Sequence, residues 1–173
     1  MSVALRIAPL VFVAAVLQVS AIAGARILGA EPDLLLVTVV AVGLVAGSIA
    51  GAGAGFAAGL LVDVMTLGVL GTTAIILTPA GYWAGRYGET TGRDRLHAPL
   101  VSVVVVTILV ALLGFFLHFL IGEEVSARRA LVESLVSGLG LNLLLAAPVF
   151  ALCRAVLRSV GTDERLAEVR LLG

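Results

Sequence analysis

The chain has 173 residues, 61% hydrophobic and 13% charged, with a mean hydropathy of +1.18. Soluble domains average about 45–50% apolar and about 25% charged residues, so this composition excludes a water-soluble globular protein and points to one membrane-embedded domain. The formal charges sum to zero, every basic residue is an arginine, and a lone Cys153 provides neither a disulfide framework nor a cysteine metal cluster.

In chain order, the first element is the charge-free run from Ile7 to Ala25, preceded by Arg6. Its length at about 1.5 Å per residue is roughly 28 Å, close to the hydrocarbon thickness of a bilayer. A secretory signal is the competing reading, but the run exceeds the usual limit of about 15 apolar residues, and more spans follow. A polar link of Arg26, Glu31, Pro32 and Asp33 comes next. Proline in a first helical turn beside an acid opens a helix well, because the missing amide has no partner there anyway. Helix 2 is therefore expected from Pro32 or Asp33.

No charge occurs from Leu34 to Val62, and Asp63 is the single formal charge between Asp33 and Arg86. Glycines recur every fourth residue at Gly43, Gly47, Gly51, Gly55 and Gly59. In water each would cost about 1 kcal/mol relative to alanine. In a bilayer the backbone must pair within the segment, which favours helix, and small residues four apart let helices approach closely. The run is either one steeply tilted span or two short ones with a turn near Gly47-Ser48. Two short helices give six spans, with Arg6, Arg86, Arg93, Arg95, Arg154, Arg158, Arg165 and Arg170 on one side. The positive-inside rule permits five or six spans and favours only the cytoplasmic placement of the Arg86–Arg95 loop. Six is preferred, because a single span of that length would overrun the bilayer by about 13 Å.

Helix 3 is expected over 49–62, ending at Asp63 on the outer side. Helix 4 follows Gly68 or Gly71 and closes at Tyr82-Trp83-Ala84-Gly85-Arg86, where aromatics beside an arginine suit an interfacial anchor. Pro79 falls inside it as a possible kink. The loop 87–97 forms the main cytoplasmic connection, and helix 5 runs over 99–121. An outer loop with Glu123, Glu124, Arg128, Arg129 and Glu133 leads to helix 6 over 134–153. Residues 1–158 thus read as one transmembrane domain, and residues 159–173 as a cytoplasmic tail suited to the membrane surface.

The chemistry on offer is sparse. Asp63 either caps helix 4 or meets a partner, since an acid at membrane depth is a functional candidate by default. Asn142, an uncharged polar group in helix 6, suits interhelical hydrogen bonding. Gly53-Ala54-Gly55 lacks the preceding soluble strand and later acid of a dinucleotide site. No nucleophile, base and acid combine, so neither catalysis nor a cofactor, metal or nucleic-acid partner is expected.

Several segments in this order carry a resemblance. Pro32-Asp33-Leu34-Leu35-Leu36-Val37 opens helix 2, and Gly55-Phe56-Ala57-Ala58-Gly59-Leu60-Leu61-Val62-Asp63 closes helix 3, followed by Gly68 and Gly71. Gly81 to Arg86 closes helix 4, and Asn142 with Pro148-Val149-Phe150 lies in the last helix. Together they resemble the rod shape-determining MreD family over about Leu5 to Arg158. That resemblance implies an all-α, polytopic membrane helical bundle of about six transmembrane helices in the bacterial plasma membrane, similar to substrate-binding components of energy-coupling-factor transporters. It implies a non-catalytic component of the elongation complex for peptidoglycan synthesis. Its partners would be membrane lipids and MreC, and indirectly MreB, a RodA-type glycosyltransferase and a class B penicillin-binding protein. On this reading MreC's span packs on the Gly51–Gly59 ridge or the Asn142 face, Asp33 and Asp63 meet its juxtamembrane residues, and Arg86 is a further partner-binding candidate at the cytoplasmic end. Gly55→Leu should then weaken MreC binding while leaving insertion intact. The alternative function is that of a vitamin-binding transporter subunit, which needs an outward pocket lined by polar groups such as Asp33, Asp63, Thr66, Thr72, Thr73 and Asn142.

Overall fold

A helix of only 13 residues stands at the centre of the molecule. α2, Leu34–Ala46, would span about 20 Å, too little to cross a bilayer unaided. It is apolar on every side, and all ten residues from Leu35 to Leu44 are buried. A helix hydrophobic all round belongs inside a bundle. Packed among other helices over Leu35 to Leu44, it can be short.

The computed structural model describes residues 3–22, 32–91, 98–121 and 137–157, which form helices joined by short turns with no strand among them. Around α2 lie α1 (Val3–Leu17, continued by a π-helical turn Gln18–Ile22), α3 (Ser48–Thr66), α4 (Thr72–Thr91), α5 (Ala98–Ile121) and α6 (Ser137–Leu157). Among the described residues Val3–Ser20, Ser48–Thr66 and Ser137–Leu157 are long and apolar enough to cross a membrane, and Leu34–Ala46 and Pro99–Leu113 are shorter apolar helices.

The uninterrupted apolar run does divide in two, at Gly47. This residue is at once the end of α2 and the start of α3, with φ 101°. Only glycine adopts that left-handed backbone without strain, which is why one residue suffices to reverse the chain. α3 returns antiparallel to α2, and α4 turns back against both: Gly51 faces Gly81, Gly55 faces Leu77, and Gly59 faces Ala74. The reversal between α3 and α4 uses Leu67 in the left-handed region at φ 54°, with its amide and that of Gly68 returned to Val64 and Asp63 carbonyls.

Two helix ends differ from expectation. α3 continues one turn past Asp63, and α4 continues past Arg86 to Thr91, so Tyr87 to Thr91 are helical instead of forming a loop. The outer loop 123–133, the start of helix 6 over 134–136 and the tail 159–173 lie outside the described residues.

Candidate functional site

The polar residues of this bundle collect at helix ends, and the reason is backbone chemistry. Each helix leaves its first amides without intrahelical partners, and lipid provides none. At the N-terminus of α2 every one of these amides is answered. The Asp33 carboxylate accepts from Leu36 N at 2.8 Å, and the Asp33 carbonyl accepts from Val37 N at 3.2 Å. Gln18 Oε1 accepts from Leu34 N at 2.8 Å and Leu35 N at 3.4 Å, while its Nε2 donates to Pro32 O. Asp33 N donates to Asn142 Oδ1 at 2.8 Å, and Asn142 Nδ2 donates to Thr107 at 3.4 Å. The chain's only glutamine and only asparagine thus join α1, α2, α5 and α6 at one point. Gln18 stands in the π-helical turn, where the extra residue per turn re-aims a side chain.

At the same end of the bundle, Asp63 is buried at 3% exposure. Its carboxylate accepts from Gly71 N at 2.7 Å and Thr73 N at 3.3 Å, which caps α4. Of the two roles open to it, the cap is the one its geometry fills.

The opposite end holds the counterpart. Glu89, on the last turns of α4, accepts from Ser48 N at 2.8 Å and Ser48 Oγ at 3.0 Å, and so caps α3. Its other oxygen meets Arg86 Nη1 at 3.2 Å. That ion pair is exposed and contributes little; the cap is the stronger contact. Glu89→Ala should lower the melting temperature of the detergent-solubilised protein by a few degrees, as expected for a lost helix cap. Glu89→Gln retains an acceptor and should lose less.

Reasoning from sequence did not single out Gln18 or Glu89. An amide alone in an apolar span is a signal for the first. The second is legible only once Gly47-Ser48 is known to open a helix whose amides need an acceptor.

The glycine ridge turns inward. A Cβ added at Gly51, Gly55 or Gly59 would collide with the α4 backbone at Gly81, Leu77 and Ala74 respectively. From the other side, Gly81 and Gly85 approach the backbone of Gly51 and Ser48 equally closely. The ridge expected to receive a partner's span is therefore covered by α4 of the same chain. Asn142, at 3% exposure, is likewise enclosed. α3 has a second small-residue face. Gly53, Phe56 and Ala57 are exposed, and nothing lies within 4 Å of a Cβ added at Gly53.

Apolar cavities open between helices among the described residues. One of about 510 Å³ lies between α1 and α6 over α2, and one of about 200 Å³ lies between α4 and α5. Among the described residues no three His, Cys, Asp or Glu side chains cluster as metal ligands. The side chains of His97 and His118 lie outside the described residues.

Taken together, the fold and its polar contacts define an all-helical membrane bundle locked by helix caps and glycine packing. The model of the family described as rod shape-determining protein MreD matches residues 2–156. The chain belongs to that family and is a shape-determining membrane protein. No curated protein and no solved structure gives a significant match. The likeness to energy-coupling-factor components therefore rests on the family resemblance alone.

Proposed function

We propose that the protein acts by holding other membrane helices in register, as the non-catalytic scaffold that joins MreC to the peptidoglycan synthesis enzymes of the elongation complex. The observation that carries this reading is the division of α3 into two small-residue faces. One is consumed by α4, while the other, Gly53 with Ala57 one turn on, is open. Small residues four apart let a partner backbone come close, where dispersion and weak polar contacts replace the absent hydrophobic drive. Phe56, at 53% exposure beside them, offers an aromatic contact to the same partner. MreC, with its single span, is the occupant assigned to this face.

Asp33, Asp63 and Asn142 then serve as internal supports that fix α3 in place, and not as contacts to the partner. The same bonds weigh against a vitamin pocket, whose polar groups must point at a ligand. The three described arginines with a defined end, Arg6, Arg86 and Arg154, share the end of Gly47 and Glu89. By the positive-inside rule that end faces the cytoplasm, with both termini, in the bacterial inner membrane.

Gly53→Leu tests the reading. Its side chain enters open space, so the bundle should fold as before. Recovery of MreC with the tagged protein from solubilised membranes should fall at least about tenfold. Unchanged recovery would remove this face from consideration.

A further inference from the structure

The turn that joins α3 to α4 pairs its polar groups internally while leaving its apolar side chains bare. At Leu67 the chain enters the left-handed region, where glycine is the ordinary occupant, yet this leucine is 93% exposed. Every residue from Val64 to Leu70 is exposed, and no formal charge occurs between Asp63 and Arg86. The backbone, by contrast, is answered from within. Leu67 N donates to Val64 O, Gly68 N to Asp63 O, and Thr72 N to Val69 O. Gly71 N and Thr73 N donate to the Asp63 carboxylate, and the exposed Thr66 hydroxyl donates to Val62 O. An aqueous turn can leave such groups to solvent; lipid requires that they pair inside the chain.

The depth of the turn agrees. Ser48 lies level with Gly85, one residue before Arg86, because the two backbones are in close contact. From Ser48 to Leu67 the helix rises about 28 Å, within a hydrocarbon core of about 30 Å whose near boundary is marked by Arg86 and the Tyr82–Trp83 pair. At the apex the amides of Val69 and Leu70 have no acceptor among the described residues. That sets the apex where the lipid ester carbonyls begin, and not deeper. A docked protein would cover one side of the turn and bring a polar rim, whereas here a whole reversal is exposed and uncharged. We infer that the α3–α4 turn is immersed in the bilayer leaflet opposite Arg86, with Leu67, Val69 and Leu70 as its lipid anchor. α3 then has no surface in water at that end, so a partner of Gly53 and Ala57 reaches them only from within the membrane. The anchor stands whether or not the scaffold reading holds.

Electron paramagnetic resonance tests it on the full chain in vesicles of phosphatidylethanolamine and phosphatidylglycerol. Leu67→Cys, Val69→Cys and Leu70→Cys, each in a Cys153→Ala background, carry a nitroxide label in turn. Oxygen concentrates in hydrocarbon and a neutral nickel chelate stays in water, so each label should collide with oxygen about threefold more often than with the chelate. Chelate collisions as frequent as oxygen collisions, at any of the three positions, place the turn in water and overturn the inference. Labels shielded from both reagents, as under a second protein chain, overturn it equally. In bacterial membranes a photo-crosslinker at Leu67 should capture lipid; a protein adduct in its place would also overturn it.

Discussion

Gly55→Leu is expected to destabilise the bundle severely. The Cβ alone would sit inside contact distance of the Leu77 carbonyl and Thr78 amide, both backbone atoms with no rotamer to change. Overpacking a core with side chains that can shift costs about 1–3 kcal/mol. Here α3 and α4 must separate along their whole length, because Gly51 and Gly59 bring the backbones equally close on either side. The loss should exceed that range and lower the melting temperature in detergent by roughly 10 °C or more, with poor yield. Gly53→Leu, two residues away, should leave the melting temperature within about 2 °C. Loss of partner binding by Gly55→Leu would therefore report a broken bundle, whereas the same loss by Gly53→Leu reports a blocked surface. If Gly55→Leu melted like the wild type, the inward placement of the ridge would be wrong.

Asp63→Ala carries the second large effect. Removing this carboxylate leaves Gly71 N and Thr73 N, at the half-buried start of α4, without an acceptor. Hydrogen bonds to charged groups contribute about 1.5–3 kcal/mol net, and donors orphaned at a half-buried helix start are only partly answered by water. A fall of several degrees in melting temperature is expected, together with faster hydrogen exchange at Gly71 to Thr73. Asp63→Asn keeps one acceptor oxygen and should fall between Ala and the wild type. Equal stability of Asp63→Ala and the wild type would mean that the cap contributes nothing.

These two residues also show what can be read from the chain and what cannot. The acid after the glycine run leaves two roles open, a partner contact or the cap of the next helix, and the short turn that follows puts the cap within reach. Helix 2 and helix 3 are separable for a similar reason: only glycine reverses the chain in one residue, and Gly47 is followed by Ser48, a residue at home in a first turn. The ridge is different. Gly51, Gly55 and Gly59 repeat with the same period as Gly53 and Ala57 on the other side of α3. In lipid an apolar face does not declare whether it meets a helix or an acyl chain. The decision comes from α4, whose Gly81 and Gly85 complement one face and not the other. Helix ends were legible only to a turn: nothing local stops α4 at Arg86, and the need of Ser48 for an acceptor draws Glu89 into the helix. The caps by Gln18 and Glu89 join residues 16 and 41 positions apart, and no local pattern encodes such pairs.

The most direct test places a photo-crosslinking residue at Phe56, exposed on α3 beside Gly53, in the otherwise native protein in bacterial membranes. The scaffold account predicts a covalent adduct with MreC at this position, and none from the same residue at Leu144, exposed on α6. Adducts with lipid alone at Phe56, or an MreC adduct at Leu144 and not at Phe56, would contradict it.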